Sequence, residues 1–146
     1  MRLVEREELL TRLDACLDDA HTTGRVALVG GEAGVGKTSL VRSFVQTCPD
    51  SVRVLWGACD SLSTPRALAP FQDMAPFASL LGERHERHAL LTALLGELSA
   101  RTVMVVEDAH WADEATLEAL RFVGRRVTAT RSVVVVTYRE IGRAHV

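Results

Sequence analysis

The 146 residues, 47% hydrophobic and 25% charged, have the composition of one soluble globular domain, and no apolar run approaches the length of a membrane span. The net charge of −2 leaves no basic footprint for nucleic acid, and the clustered Arg121, Arg125, Arg126 and Arg131 read as one solvated helix face. Cys16, Cys48 and Cys59 are odd in number and lack metal-ligand spacing, so they read as reduced thiols; with no signal-peptide pattern, a cytoplasmic location is the default.

Leu9, Leu10, Leu13, Leu17 and Ala20 recur at helical spacing and predict a first helix over 5–21, stopped by Thr22, Thr23 and Gly24. Residues 26–29 read as a short apolar strand that runs into a glycine-rich loop. Leu40, Val41, Phe44 and Val45 then mark one face of a helix that Pro49 ends. A weaker strand covers 52–56. Over 57–82 the periodicity is poor: Thr64 and Pro65 read as a helix start, Pro70 and Pro76 break any long helix, and short helical pieces are expected. Leu90, Leu91, Leu94, Leu95 and Leu98 predict the next helix, and 102–106 a continuous apolar strand that ends in Glu107 and Asp108. Asp113 is placed to cap a helix carrying Leu117, Leu120, Val123 and Val127, and 133–138 form the last strand. Strands alternating with helices imply α/β architecture, with a parallel sheet built from right-handed crossovers and ligands bound at the carboxyl ends of the strands.

Three chemical signals fall at those ends. The first is Gly31-Glu32-Ala33-Gly34-Val35-Gly36-Lys37-Thr38, which fits G-x-x-x-x-G-K-[ST] at every fixed position, between a strand and a helix as the motif requires. Its glycines let successive N–H groups face anionic oxygens, and the helix that begins near Lys37, with Ser39 in its first turn, adds the positive end of its dipole. Lys37 is the only lysine among 17 basic residues, kept where a compact ammonium suits a phosphate chain and an Arg fork would be too bulky. Thr38 offers a hydroxyl to Mg²⁺.

The second signal is Glu107-Asp108 after four apolar residues, the pattern that holds Mg²⁺ opposite a phosphate loop. One carboxylate serves the metal and the other the attacking water; which does which stays open, because Glu stands where Asp is commoner. The third is Arg139, placed to reach a γ-phosphate at the end of the last strand. Two neighbours read more plainly, His110 as a hydrogen-bonded structural histidine and Trp111 as a packing residue. His85 and His88 lie at i, i+3, but no ligand with suitable spacing completes a metal site.

With the loop, the segment Val-Met-Val-Val-Glu-Asp-Ala-His-Trp-Ala-Asp (103–113) and the closing Val-Thr-Tyr-Arg in hand, the chain resembles the amino-terminal ATPase domain of the large ATP-binding regulators of the LuxR family, in the STAND branch of AAA-like ATPases. Leu55-Trp56-Gly57-Ala58-Cys59-Asp60, with Thr64-Pro65-Arg66 and Pro70, matches the segment after the second strand. Leu3-Val4-Glu5-Arg6-Glu7 is similar to the opening segment that lies near the adenine, which implicates Val4 and Arg6, although a Gly is commoner where Glu5 stands.

The resemblance implies a P-loop NTPase three-layer sandwich of core strand order 5-1-4-3-2, here without the fifth strand. It also implies Mg²⁺ and ATP as cofactors at residues 31–39, Glu107 and Asp108 at the metal and the water, and Arg139 as a sensor arginine. It implies a switch in which ATP and ADP favour different states, self-association in the full-length protein, and DNA binding only through a helix-turn-helix beyond this chain.

On this reading 1–140 is a truncated ATPase domain, with weak ATP affinity and little turnover on its own. Residues 141–146, Ile-Gly-Arg-Ala-His-Val, match one reading frame of a common sequencing adapter and read as a non-native tail. An origin-binding type of AAA ATPase shares the core but calls for a basic DNA-facing surface. A GTPase needs a second lysine in its guanine reader, which this chain lacks, and a small-molecule kinase needs an acceptor pocket with its own acid–base group. A nucleotide-binding module without hydrolysis shares every motif above.

Overall fold

The computed structural model describes residues 3–32, 36–61, 66–82 and 87–140. Ala33, Gly34 and Val35 of the loop, the Thr64-Pro65 pair, His85 and the closing hexapeptide lie outside the described residues.

In chain order the elements are α1 (Leu3–Asp19), β1 (Arg25–Gly31), α2 (Lys37–Gln46), β2 (Arg53–Ala58), α3 (Ala69–Gln72), α4 (Ala75–Gly82), α5 (Arg87–Leu98), β3 (Thr102–Glu107), α6 (Glu114–Arg126) and β4 (Val133–Arg139). Single 3-10 turns at Ala109–Trp111 and Val127–Ala129 flank α6. The four strands form one parallel sheet of order β1-β4-β3-β2, the 1-4-3-2 part of the order that the resemblance implies. The short α3 and α4 follow from Pro70 and Pro76, each of which sits in a first helical turn, where its missing N–H has no helical partner to lose.

Strand periodicity divides the core into two layers. Val103, Val105, Val133 and Val135 face α1 and α2, meeting Leu13, Leu17, Leu40, Val41 and Phe44. Met104, Val106, Val134 and Val136 face α3–α6, meeting Phe71, Phe77, Leu90, Leu94, Leu98 and Val123. All six residues of β3 are buried, as expected of a central parallel strand covered on both faces.

At the sheet margin the covering stops. Val26 and Leu28 of β1 pair with Val134 and Val136 and share their face, yet are 39% and 67% exposed. On the opposite margin Gly57 of β2 lets α3 pack directly on the strand: a Cβ there would fall 1.9 Å from the Pro70 carbonyl oxygen. Asp113 does stand at the N-cap of α6, but its carboxylate bonds no helix amide. It accepts instead from the Thr116 hydroxyl and from the Leu68 N–H at 3.3 Å, which ties the entry to α3 onto the start of α6. The exposed Arg121, Arg125, Arg126 and Arg131 lie on and just after α6.

Candidate nucleotide site

Gly36 precedes α2 with φ +86°, a left-handed conformation that glycine adopts without strain, and supplies no side-chain cap. Among the described residues a Cβ built on it meets nothing within 4 Å, and the first-turn N–H groups of this ten-residue helix have no partner within the helix. The half-buried Lys37 ammonium donates to the carbonyl oxygens of Gly31 at 2.7 Å and Glu32 at 3.1 Å, folding back over the start of the loop.

Across from the loop, β3 delivers Glu107 on the same face as Val103 and Val105, toward α2. Its carboxylate is 7% exposed and takes two donors: the Thr38 hydroxyl reaches Oε1 at 2.7 Å and the Trp56 indole N–H reaches Oε2 at 3.3 Å. Asp108 then leaves the strand with φ +58°, a left-handed conformation for which Asp is one of the better-suited side chains. Its N–H donates to the Thr137 hydroxyl of β4 at 3.0 Å. This turn re-aims the carboxylate, so that Asp108 lines the cleft although strict alternation would send it to the other face of the sheet.

At the tip of β4 the Arg139 N–H donates to His110 Nδ1 at 2.9 Å. Nδ1 is thus the accepting nitrogen of the ring. The ring contacts Trp111 at a 5.4 Å centroid separation. Trp111 is 45% exposed and lines the cleft rather than packing inward, which corrects the sequence expectation of a packing residue.

One cleft of about 890 Å³ is lined at the start of α2 by Gly36, Lys37, Thr38 and Ser39, along that helix by Arg42, Ser43 and Gln46, and opposite by Ser61, Asp108, His110, Trp111 and Arg139; the buried Glu107 is not among its lining residues and meets it through Thr38. Residues 69 positions apart, Thr38 and Glu107, are thus in direct contact. Val4 and Arg6 do not line this cleft. Val4 is 75% exposed, and the Arg6 guanidinium donates to Ser39 O at 3.2 Å and Ser43 Oγ at 2.6 Å, bracing α1 against α2. Beside the cleft, burial pushes the Cys59 thiol up to about 12, helped by the charges of Asp113, Asp108, Asp60 and Asp73. Hydrogen bonds from Arg66 hold the Asp60 carboxyl below its ordinary value.

The donor set suits Mg²⁺ with phosphate. Thr38 and Glu107 present hard oxygen atoms, and the α2 N-terminus with Lys37 presents positive charge on the same side.

The family described as "AAA ATPase domain" matches residues 2–136. The chain belongs to that family. Membership implies nucleotide binding, and the match runs from α1 into β4, ending three residues before Arg139. Among solved structures this AAA domain is similar to Drosophila ORC, in a structure bound to DNA, with 17% identity and a TM-score of 0.65 over 96% of this chain and 38% of that one. It is similar to Cdc6p from Pyrobaculum aerophilum at 21% identity and TM-score 0.65, covering 94% of this chain and 40% of that one. PCH-2 of C. elegans follows with 15% identity and TM-score 0.58, covering 93% of this chain and 38% of that one. At these identities the likeness fixes the fold, and the chain spans about two-fifths of the length of those proteins. No curated protein matches it.

The structure also brings forward residues that sequence reasoning left out of the site. Trp56 and Thr137 lay in segments quoted for the resemblance but were given no site role, Arg42 carried no signal, and His110 was read as structural; it meets that description through Arg139 while also lining the cleft. Among the described residues no helix is long and apolar enough to cross a membrane.

Proposed function

We propose that this AAA domain binds Mg²⁺·ATP and hydrolyses it slowly, as the conformational switch of a signal-responsive transcriptional regulator of the LuxR/STAND type. The observation that carries the reading is the Thr38–Glu107 bond, which joins the phosphate loop to the acidic strand end within the 103–113 segment typical of those regulators.

In this reading the ammonium of Lys37 leaves the Gly31 and Glu32 carbonyls for the β- and γ-phosphates, and the N–H groups of 36–39 hold the remaining phosphate oxygens. Gly31, Glu32, Ala33, Gly34 and Val35 form the rest of the cradle. Thr38 and Glu107, which already touch, would hold Mg²⁺, and the ion would supply neutralisation of phosphate charge. Asp108, turned into the cleft by its left-handed backbone, orients the attacking water and takes up its proton. Arg139 reads the γ-phosphate. Its N–H is fixed to His110, so loss of that phosphate is felt at both β4 and the 3-10 turn after β3. Arg6 acts near the adenine through its bonds from α1 to Ser39 and Ser43 of α2, with the exposed Val4 two residues before it. A switch follows if ATP and ADP favour different arrangements of these parts. Self-association, DNA binding through a separate helix-turn-helix, residence in the cytoplasm and the non-native character of 141–146 belong to the same proposal.

The test is titration of Mg²⁺·ATP into the chain, with phosphate release followed in parallel. Lys37→Ala is expected to abolish binding, and Asp108→Asn to retain binding while slowing hydrolysis about 100-fold or more. Binding that survives Lys37→Ala, or hydrolysis indifferent to Asp108→Asn, overturns the assignment. DNA binding by this chain alone would favour the origin-binding reading instead.

A further inference from the structure

Glu107 stands where a shorter Asp is the commoner metal-side residue, and its extra methylene adds a torsion that lets the carboxylate swing. The structure removes that freedom from two sides. Oε1 accepts from Thr38 on α2 and Oε2 from Trp56 on β2, so rotation of the carboxylate breaks one bond or the other.

Both partners are set by a single helix face. Thr38 and Arg42 lie at i, i+4 on α2. Thr38 holds Glu107 directly, while the Arg42 guanidinium sits 5.6 Å from the Trp56 ring centroid, within cation–π range, and keeps the half-buried indole in place. On the sheet side, Glu107 is registered opposite Ala58, and Trp56 lies two residues back along β2. It is therefore the diagonal same-face neighbour of Glu107, within reach of a long side chain. An indole N–H donates and never accepts. It thus steadies a carboxylate without supplying a competing ligand or a titrating group.

We propose that Trp56 is a positioning residue for Glu107: its N–H holds Oε2 so that Oε1 stays turned to the Thr38 hydroxyl, and the pair forms one preformed oxygen donor set for Mg²⁺. The inference rests on the nucleotide-binding reading above and adds to it a residue outside both site motifs. Hydrogen-bond partners of a ligating carboxylate commonly contribute 10- to 100-fold to metal affinity.

The experiment measures the affinity of a fluorescent ATP analogue across a Mg²⁺ titration and in EDTA, for the wild-type chain and for Trp56→Phe, which keeps an aromatic ring at this position but removes the N–H together with part of the indole's volume. Trp56→Phe is expected to raise the half-saturating Mg²⁺ concentration about tenfold while leaving metal-free nucleotide affinity within about twofold. A folded Trp56→Phe chain with unchanged Mg²⁺ dependence, or with both affinities lowered alike, overturns the proposal.

A second measurement needs no nucleotide and no stable Trp56 variant. The chain has two tryptophans, hence two indole ¹⁵N–¹H resonances, and the Trp56 signal is the one that disappears in Trp56→Phe or is identified by its NOE contacts. Glu107→Gln weakens the acceptor and is expected to shift that resonance and leave the Trp111 one in place. A Trp56 resonance indifferent to Glu107→Gln overturns the proposal by itself. If Glu107→Gln produces the shift but the wild-type chain binds no nucleotide, the functional reading fails, and with it the metal role assigned to Trp56.

Discussion

Ser132 and Glu107 are both buried polar residues beside the central strands, at opposite ends of the sheet. At the amino ends, Ser132 Oγ accepts the Thr102 N–H at 3.0 Å and faces the carbonyl oxygens of Leu98 at 2.8 Å and Ala100 at 3.0 Å, while the Ser132 carbonyl accepts the Arg25 N–H at 3.0 Å. The adjoining backbone is equally tight, since a Cβ at Gly24 would fall 2.0 Å from the Val127 carbonyl oxygen and 2.9 Å from that of Ser132. At the carboxyl ends the partners are exchangeable: Lys37 rests on two loop carbonyls, and Thr38 on Glu107, in a cleft open to solvent. Closed hydrogen bonding stabilises one end; bonds that a ligand can replace equip the other.

The largest break in this comparison is expected from paired glycine substitutions. Gly24→Ala drives a methyl into backbone and should prevent cooperative folding, whereas the nearest atoms to a Gly30→Ala methyl are the outer atoms of the Tyr138 ring at 2.5–2.8 Å, a side chain that can turn aside. Thermal melts read the pair, with Gly30→Ala expected within about 1 kcal/mol of wild type; equal losses would erase the distinction between the ends.

Next, Lys37→Ala should remove nucleotide binding yet change unfolding free energy by less than about 1 kcal/mol, because the carbonyls it leaves lie beside solvent. Ser132→Ala is the converse. It strands the buried Thr102 N–H and should cost about 1–3 kcal/mol in urea unfolding with nucleotide affinity per folded molecule unchanged.

The smallest effect concerns Cys59, which shows that the carboxyl end is not open throughout. Folding raises its thiol from 9.0 to about 12, so the folded chain keeps the proton that the unfolded chain loses. Its contribution to stability is therefore intact below pH 9 and declines as pH rises toward 12. At pH 8, alkylation of Cys59 should be far slower in the native chain than in urea, as read by mass spectrometry.

Much of the fold could be read from the chain because each element carries its own periodicity. The leucines of α5 and the valines of β3 and β4 mark their elements locally. The strand order came from resemblance to a family rather than from any spacing. Of the site, Lys37, Thr38, Glu107, Asp108 and Arg139 were legible because chemistry restricts those positions to few residue types. Trp56, Thr137 and Arg42 were not, since tryptophan in a strand, threonine in a strand and arginine on a helix are each ordinary.

Local sequence thus determined which segments become helix or strand and which groups can meet phosphate or metal, because backbone torsions and side-chain chemistry are properties of neighbouring residues. Only the tertiary structure decided that Glu107 faces Thr38, that Asp108 turns back into the cleft, and that an indole 51 residues away holds the carboxylate. Those outcomes depend on register between strands and on one left-handed residue, and register is set by packing across the whole sheet.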